Sequence, residues 1–280
     1  MKALALLLAL TPTPSAQTPT PLLQPPTTAN AILPFPRPSA NLADWNAGAG
    51  RKLASLTIDK VTLRGFDYPG PTVNAPTVLV FGGNGWTIDD ADPLLRAMAQ
   101  LGARVVAYDY RGYGFSEGRA DVRTFRRDAL RVYDALAAQA GSTHVAVYGF
   151  SMGTAIASYV ASERSVAGLI LVAPMSSAVE FFRAFGPGRF RDFSVEKMMT
   201  TRDADEAYDE VGMVAKSTAP LLVIHGDADD VIPYAQGKEV YDASRSLPKT
   251  FVTLHRVNHN DAPGRRETFE ALERFFAALR

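Results

Sequence analysis

The chain has 280 residues, 47% hydrophobic and 21% charged, which is enough apolar material for one sizeable core. Its 29 basic side chains balance 29 acidic ones, which excludes a polyanion-binding protein, because neutralising phosphates takes an excess of Lys and Arg. Cysteine is absent, so disulfides, a cysteine nucleophile and thiolate metal sites are excluded as well.

Residues 1–16 have the layout of a secretory signal peptide. Lys2 leads the apolar run Ala3 to Leu10, and Ser15 and Ala16 supply small residues at the exit. The run is shorter than the roughly 20 apolar residues that span a bilayer, so no stable membrane span is expected after signal removal. This places the mature chain in the periplasm or outside the cell; the alternative is a leader that stays in the cytoplasm. Residues 17–45 read as a Pro-rich linker, since proline lacks an amide donor and fixes φ. The domain then occupies residues 46–280, without an internal repeat.

Within it, residues 56–68 alternate in polarity, as an antiparallel edge would. Apolar runs of strand length follow at 77–81, 103–108, 144–148, 166–172, 220–224 and 250–254. Most are apolar on both faces, the pattern of parallel strands covered by helices. Between them, Phe125, Ala129, Val132, Leu136 and Ala140 form a helical stripe, and Phe269, Leu272, Phe276 and Leu279 form another near the end. Strand alternating with helix predicts an α/β fold whose mostly parallel central sheet carries helices on both faces. Ligands in such sheets bind at the carboxyl ends of the strands. The alternation pauses at about 175–219, which predicts a small helical lid.

The third parallel strand runs into Gly149-Phe150-Ser151-Met152-Gly153, and good helix formers follow from Thr154 to Val160. A five-residue Gly-x-Ser-x-Gly pattern alone arises by chance in about one chain in ten or twenty. Between a buried strand and a helix it points to a serine held exposed above the sheet as a nucleophile. A hydroxyl needs a base to react at neutral pH. Of the four histidines, His144 precedes its strand, His225 closes one where it is expected to pack and hydrogen-bond under the following loop, and His255 falls in the last strand pattern. His259, in the loop after that strand, is well placed to reach Ser151. The third member of such a relay orients the base. The loop after residues 220–224 offers Asp227, Asp229 and Asp230, and spacing alone does not choose among them.

Three segments carry a resemblance. They are Asp109-Tyr110-Arg111-Gly112-Tyr113-Gly114-Phe115-Ser116-Glu117-Gly118, the Gly-Phe-Ser-Met-Gly turn, and His225-Gly226-x-x-Asp229-x-x-Ile232-Pro233. With His259-Asn260-Asp261 they resemble the small-lidded serine hydrolases of the α/β-hydrolase superfamily, including its Bem46-like group. The likeness extends from about Leu56 to the end. It implies the α/β-hydrolase fold and makes Asp229 the acid. Many relatives have Gly before the histidine where Asn258 stands here. The backbone N–H of Met152, next to the nucleophile, is one expected oxyanion donor. By alignment with relatives that read His-Gly-Asn, where this chain has Gly82-Gly83-Asn84, Asn84 supplies the other. The Asp109–Gly118 stretch reads as architectural.

The lid region carries Phe181, Phe182, Phe185, Phe190, Phe193, Met198 and Met199, with Arg183, Arg189 and Arg191 between them. Its aromatics either line an acyl pocket, together with Trp86, or simply dock the insertion on the sheet. No metal and no cofactor is called for, because the His and Asp residues do not fall at ligand spacing. The expected activity is hydrolysis of a carboxylic ester or related acyl bond of a small-molecule substrate, with no nucleic acid partner. The alternatives are a peptidase or amidase on the same scaffold and a catalytically silent binding protein. A dehalogenase is disfavoured, because its turn would carry a carboxylate in place of Ser151.

Overall fold

The computed structural model describes residues 42–48, 50–140, 145–185, 206 and 208–279. The signal peptide and most of the linker read above, His144, and the lid residues Phe190, Phe193, Met198, Met199, Arg189 and Arg191 lie outside the described residues.

Eight strands form one sheet in the order β1-β2-β4-β3-β5-β6-β7-β8. They are β1 (Lys52–Ile58), β2 (Val61–Tyr68), β3 (Thr77–Phe81) and β4 (Arg104–Tyr108), followed by β5 (Val145–Phe150), β6 (Leu169–Val172), β7 (Leu221–Gly226) and β8 (Lys249–Leu254). From β4 to β8 every neighbouring pair is parallel. The expected antiparallel edge is a hairpin that begins earlier than the alternation at 56–68 suggests. Its turn falls on Asp59 and Lys60, both with positive φ (49° and 65°), as a tight hairpin turn requires.

Seven helices occur among the described residues, most of them packed on this sheet. They are α1 (Asp92–Gln100), α2 (Val122–Ala140), α3 (Met152–Glu163), α4 (Ala178–Phe185), α5 (Glu210–Val214), α6 (Tyr234–Ala243) and α7 (Arg266–Ala278). Successive residues of a strand face opposite sides, so each parallel strand feeds two cores. Leu79, Val147, Leu171 and Val223 join Phe125, Val132, Ile156 and Val240 on one face. Val78, Tyr148, Ile170 and Leu222 join Leu95, Met98, Leu272 and Phe276 on the other. Full burial of side chains such as Leu79 and Phe276 contributes about 1.5–3 kcal/mol each.

The chain runs from β3 to β4 on one side and then crosses back to β5 on the other. A crevice opens at the carboxyl ends where the winding reverses. The register there sets Phe81 opposite Gly149, so the loops leaving β3 and β5 emerge side by side.

Candidate active site

Strand β5 ends at Phe150 and α3 starts at Met152, so the chain turns on Ser151. Its backbone has φ 53° and ψ −123°, a strained conformation for a residue with a Cβ. Such strain costs on the order of 1–3 kcal/mol and persists only where packing enforces it. Packing does so here: a Cβ on Gly149 would come within 2.4 Å of the Gly153 oxygen, and one on Gly153 within 2.2 Å of the Phe81 oxygen. The Ser151 amide donates to Val172 O at 3.0 Å, which ties the turn to β6. Its carbonyl accepts from the Thr154 amide at 2.9 Å and from Thr154 Oγ1 at 2.5 Å. The Met152 amide opens α3 and has no acceptor within the helix.

The loop after β3 runs over this turn. A Cβ on Gly83 would lie 3.4 Å from Ser151 Cβ, so Asn84 follows directly beside the serine. Two tyrosines hold the loop: Tyr110 donates to Gly82 O at 2.9 Å, and Tyr113 to Asn84 Oδ1 at 3.2 Å. Asp109 joins the same loop to the next one. Its carboxyl accepts from the Ile88 and Phe115 amides, each at 2.8 Å. Burial pushes this carboxyl up to about 7 despite those two bonds. The architectural reading of this stretch fits these contacts.

Loops after β7 and β8 bring the remaining groups. His259 Nε2 lies 2.9 Å from Ser151 Oγ, and its Nδ1 lies 2.8 Å from Asp229 Oδ2. With its proton on Nδ1, the imidazole donates to the carboxylate and leaves Nε2 to accept from the serine hydroxyl. Both groups are almost entirely buried, His259 at 4% exposure. Asp229 Oδ1 accepts from the Val231 and Ile232 amides at 2.9 and 2.7 Å. Burial opposes the charge on Asp229, but hydrogen bonds from His225 and His259 and the Ile232 amide hold it well below the usual carboxylate range.

Of the three aspartates left open by spacing, Asp229 is therefore the one that meets the His259 imidazole. Asp230 Oδ1 accepts the His259 amide at 3.5 Å, and Asp227 turns away to the exposed His255 at 2.9 Å. His225 is fully buried, with Nε2 3.0 Å from Ile232 O and 3.3 Å from Asp229 Oδ2. The bond to Ile232 O fits the packing and hydrogen-bonding role expected under this loop, and the contact with Asp229 adds to it. The His-Gly-x-x-Asp spacing was the signal that could have shown this.

An aromatic row backs the histidine. The Phe150 and His259 rings are 5.1 Å apart, and Trp86 sits 5.1 Å beyond Phe150. A Cβ on Gly82 would strike the Trp86 ring at 2.9 Å, so the indole fills the space a larger residue 82 would need. Phe181 is half-buried on α4 and packs against the core beneath it. Phe182 and Phe185 belong to the same helix, and their side chains lie outside the description.

Sequence reasoning also missed Thr154 and Glu210, which meet beneath the turn. Glu210 stands within the expected lid region, where a charged residue reads as surface.

A family model described as "Serine aminopeptidase, S33" matches residues 73–188. An uncharacterized protein of Mycobacterium tuberculosis is 30% identical over 232 residues, which cover 81% of this chain and 79% of that protein. The lysophosphatidylserine lipase ABHD12 of Gallus gallus is 32% identical over 201 residues. That match covers 64% of this chain and 52% of the lipase, so the chain spans about half the lipase's length. Among solved structures, Est1E from Butyrivibrio proteoclasticus with ferulic acid bound gives a TM-score of 0.67 at 18% identity, over 81% of this chain and 98% of that one. A membrane phospholipase A described as a bacterial virulence factor gives 0.61 at 22% identity, over 82% and 87%. These structural likenesses share the fold. The comparisons reach the level of a superfamily and do not single out the Bem46-like group.

Proposed function

The chain belongs to the α/β-hydrolase superfamily, and from that premise we propose a serine hydrolase that cleaves a carboxylic ester or related acyl bond through an acyl-enzyme. The observation that carries this reading is the line of bonds from Ser151 through His259 to Asp229, at 2.9 and 2.8 Å. Ser151 Oγ attacks the acyl carbon while His259 Nε2 takes its proton. The tetrahedral oxyanion receives hydrogen bonds from the amides of Met152 and Asn84. The intermediate collapses, and His259 returns the proton to the leaving alkoxide. A water then repeats the sequence on the acyl-enzyme, releasing the acid and restoring Ser151. Asp229 keeps the imidazole in the required tautomer and stabilises it when charged. Trp86 and Phe181 border the acyl group in this proposal. The signal layout of residues 1–16 supports action outside the cytoplasm.

The lipase name of the ABHD12 relative supports an ester substrate. The description of the family model favours a second reading, a peptidase or amidase. Rates on short-chain p-nitrophenyl esters and on amino-acid amides separate the two, with the esters expected to turn over faster. Ser151→Ala should reduce kcat by a factor on the order of 10⁶, the loss found when a triad serine is removed elsewhere. A fluorophosphonate probe should label Ser151 and not that variant. Undiminished turnover by Ser151→Ala overturns the mechanism, and an unlabelled native protein favours the silent binding protein.

A further inference from the structure

Beneath the turn that carries Ser151 lies a second buried carboxyl group, contributed by Glu210 of α5. Glu210, Thr154 and Ser158 are all fully buried. Glu210 Oε2 is 2.9 Å from Thr154 Oγ1, and Oε1 is 3.0 Å from Ser158 Oγ. The Thr154 oxygen is in turn 2.5 Å from the carbonyl oxygen of Ser151. A hydroxyl has one proton to give. The Ser151 carbonyl can only accept, and it lies nearer, so the Thr154 proton goes there. The contact with Glu210 Oε2 then needs its proton from Glu210.

From this count we propose that Glu210, in its neutral acid form, is a positioning residue for the nucleophile. Its carboxyl proton binds Thr154, and Thr154 binds the carbonyl of the strained Ser151, which fixes the turn from below. The inference rests on Ser151 being the nucleophile.

The surroundings suit a neutral acid. Helix α3 presents the Thr154 and Ser158 hydroxyls, and the loop after β6 presents the Met175 amide. That loop also bonds α5 through Ser176 O, and α6 braces it through the uncharged Gln236. Asp209 and Glu206 on the same segment are exposed, and Asp209 caps α5 through the Gly212 amide. Arg126 on α2 donates to the Glu206 carbonyl and stacks over the Tyr159 ring. Tyr208 is buried beside the Tyr113 phenol, with its own ionisation pushed up by burial. No charged side chain among the described residues offsets an anion at Glu210, and desolvation pushes its carboxyl up to about 8.

The test compares kcat against pH for the native protein, Glu210→Gln and Glu210→Ala on a p-nitrophenyl ester. The Gln amide can donate where the neutral acid does. Glu210→Gln should keep kcat within about twofold at pH 7 and hold it to pH 9, whereas the native enzyme declines above about 8. Glu210→Ala should lose about tenfold or more in kcat with KM nearly unchanged. Superimposable native and Gln profiles overturn the proposal, as does a folded Gln variant as impaired as the Ala one. If the Ala variant fails to fold, the native and Gln profiles still decide. Melting temperatures supply a readout independent of activity: the advantage of the Gln variant should grow between pH 6 and 9, and a constant difference overturns the neutral state. Turnover retained by Ser151→Ala overturns the functional reading. Turnover lost there, with coincident native and Gln profiles, overturns the role of Glu210 alone.

Discussion

Asp229 and Glu210 are both carboxyl groups buried near the same serine, yet their surroundings drive them to opposite states. Asp229 receives two backbone amides and contacts from two imidazoles, all of which favour an anion. Glu210 meets two hydroxyls and one amide, with no cation among the described residues, and its charge is suppressed by burial. Burial alone therefore does not decide ionisation; the number and kind of donors does. It also divides the labour around Ser151. In the proposed mechanism the ionised group works through the histidine above the serine, and the neutral one works through the backbone below it.

The largest effect is expected at Asp229. Asp229→Asn should lower kcat by about 10⁴, because the amide can favour the wrong imidazole tautomer; kcat within tenfold of native would remove the need for an anion there. Stability against pH sharpens the contrast next. The depressed Asp229 contributes stability that is complete above the ordinary carboxylate range and is lost as pH falls through its lower folded value. Glu210 runs the other way. Its contribution is complete below 4.5 and is lost as pH rises through about 8. Denaturant titrations of the native protein and Glu210→Gln should therefore diverge by a few kcal/mol between pH 5 and 9. His225→Leu should cost Asp229 one of its donors and reduce kcat about tenfold, close to 1.4 kcal/mol, as steady-state kinetics can check. The smallest effect belongs to His255, whose side chain is 83% exposed and bonds Asp227. His255→Ala should leave kcat within about twofold, and a larger loss would bring Asp227 into the site.

The parts of the site that depend on local pattern were legible in the sequence. The strand, the five-residue turn and the following helix place Ser151, and the loop after the last strand places His259. The choice of Asp229 among three neighbours needed resemblance, because all three occupy one short loop and differ only in which way each carboxyl turns. The hairpin was blurred because Asp59-Lys60 makes its turn without the Gly or Asn that usually signals one. Helix α1 left no named stripe, since only Leu95 and Met98 of its nine residues are buried. Glu210 was illegible for a different reason. Its meaning depends on a hydroxyl 56 residues away and on the protons shared between them, which periodicity does not register.

The row of rings behind His259 has an optical consequence. The chain has two tryptophans, and Trp45 lies elsewhere, with its indole nitrogen on Gly65 O. Replacing Trp45 with Phe would leave an emitter separated from the imidazole by a single benzyl side chain. Protonation of that imidazole would quench the indole differently from the neutral ring. The protein therefore carries its own fluorophore for following the reaction in a stopped-flow cell, without a chromogenic substrate or an attached dye.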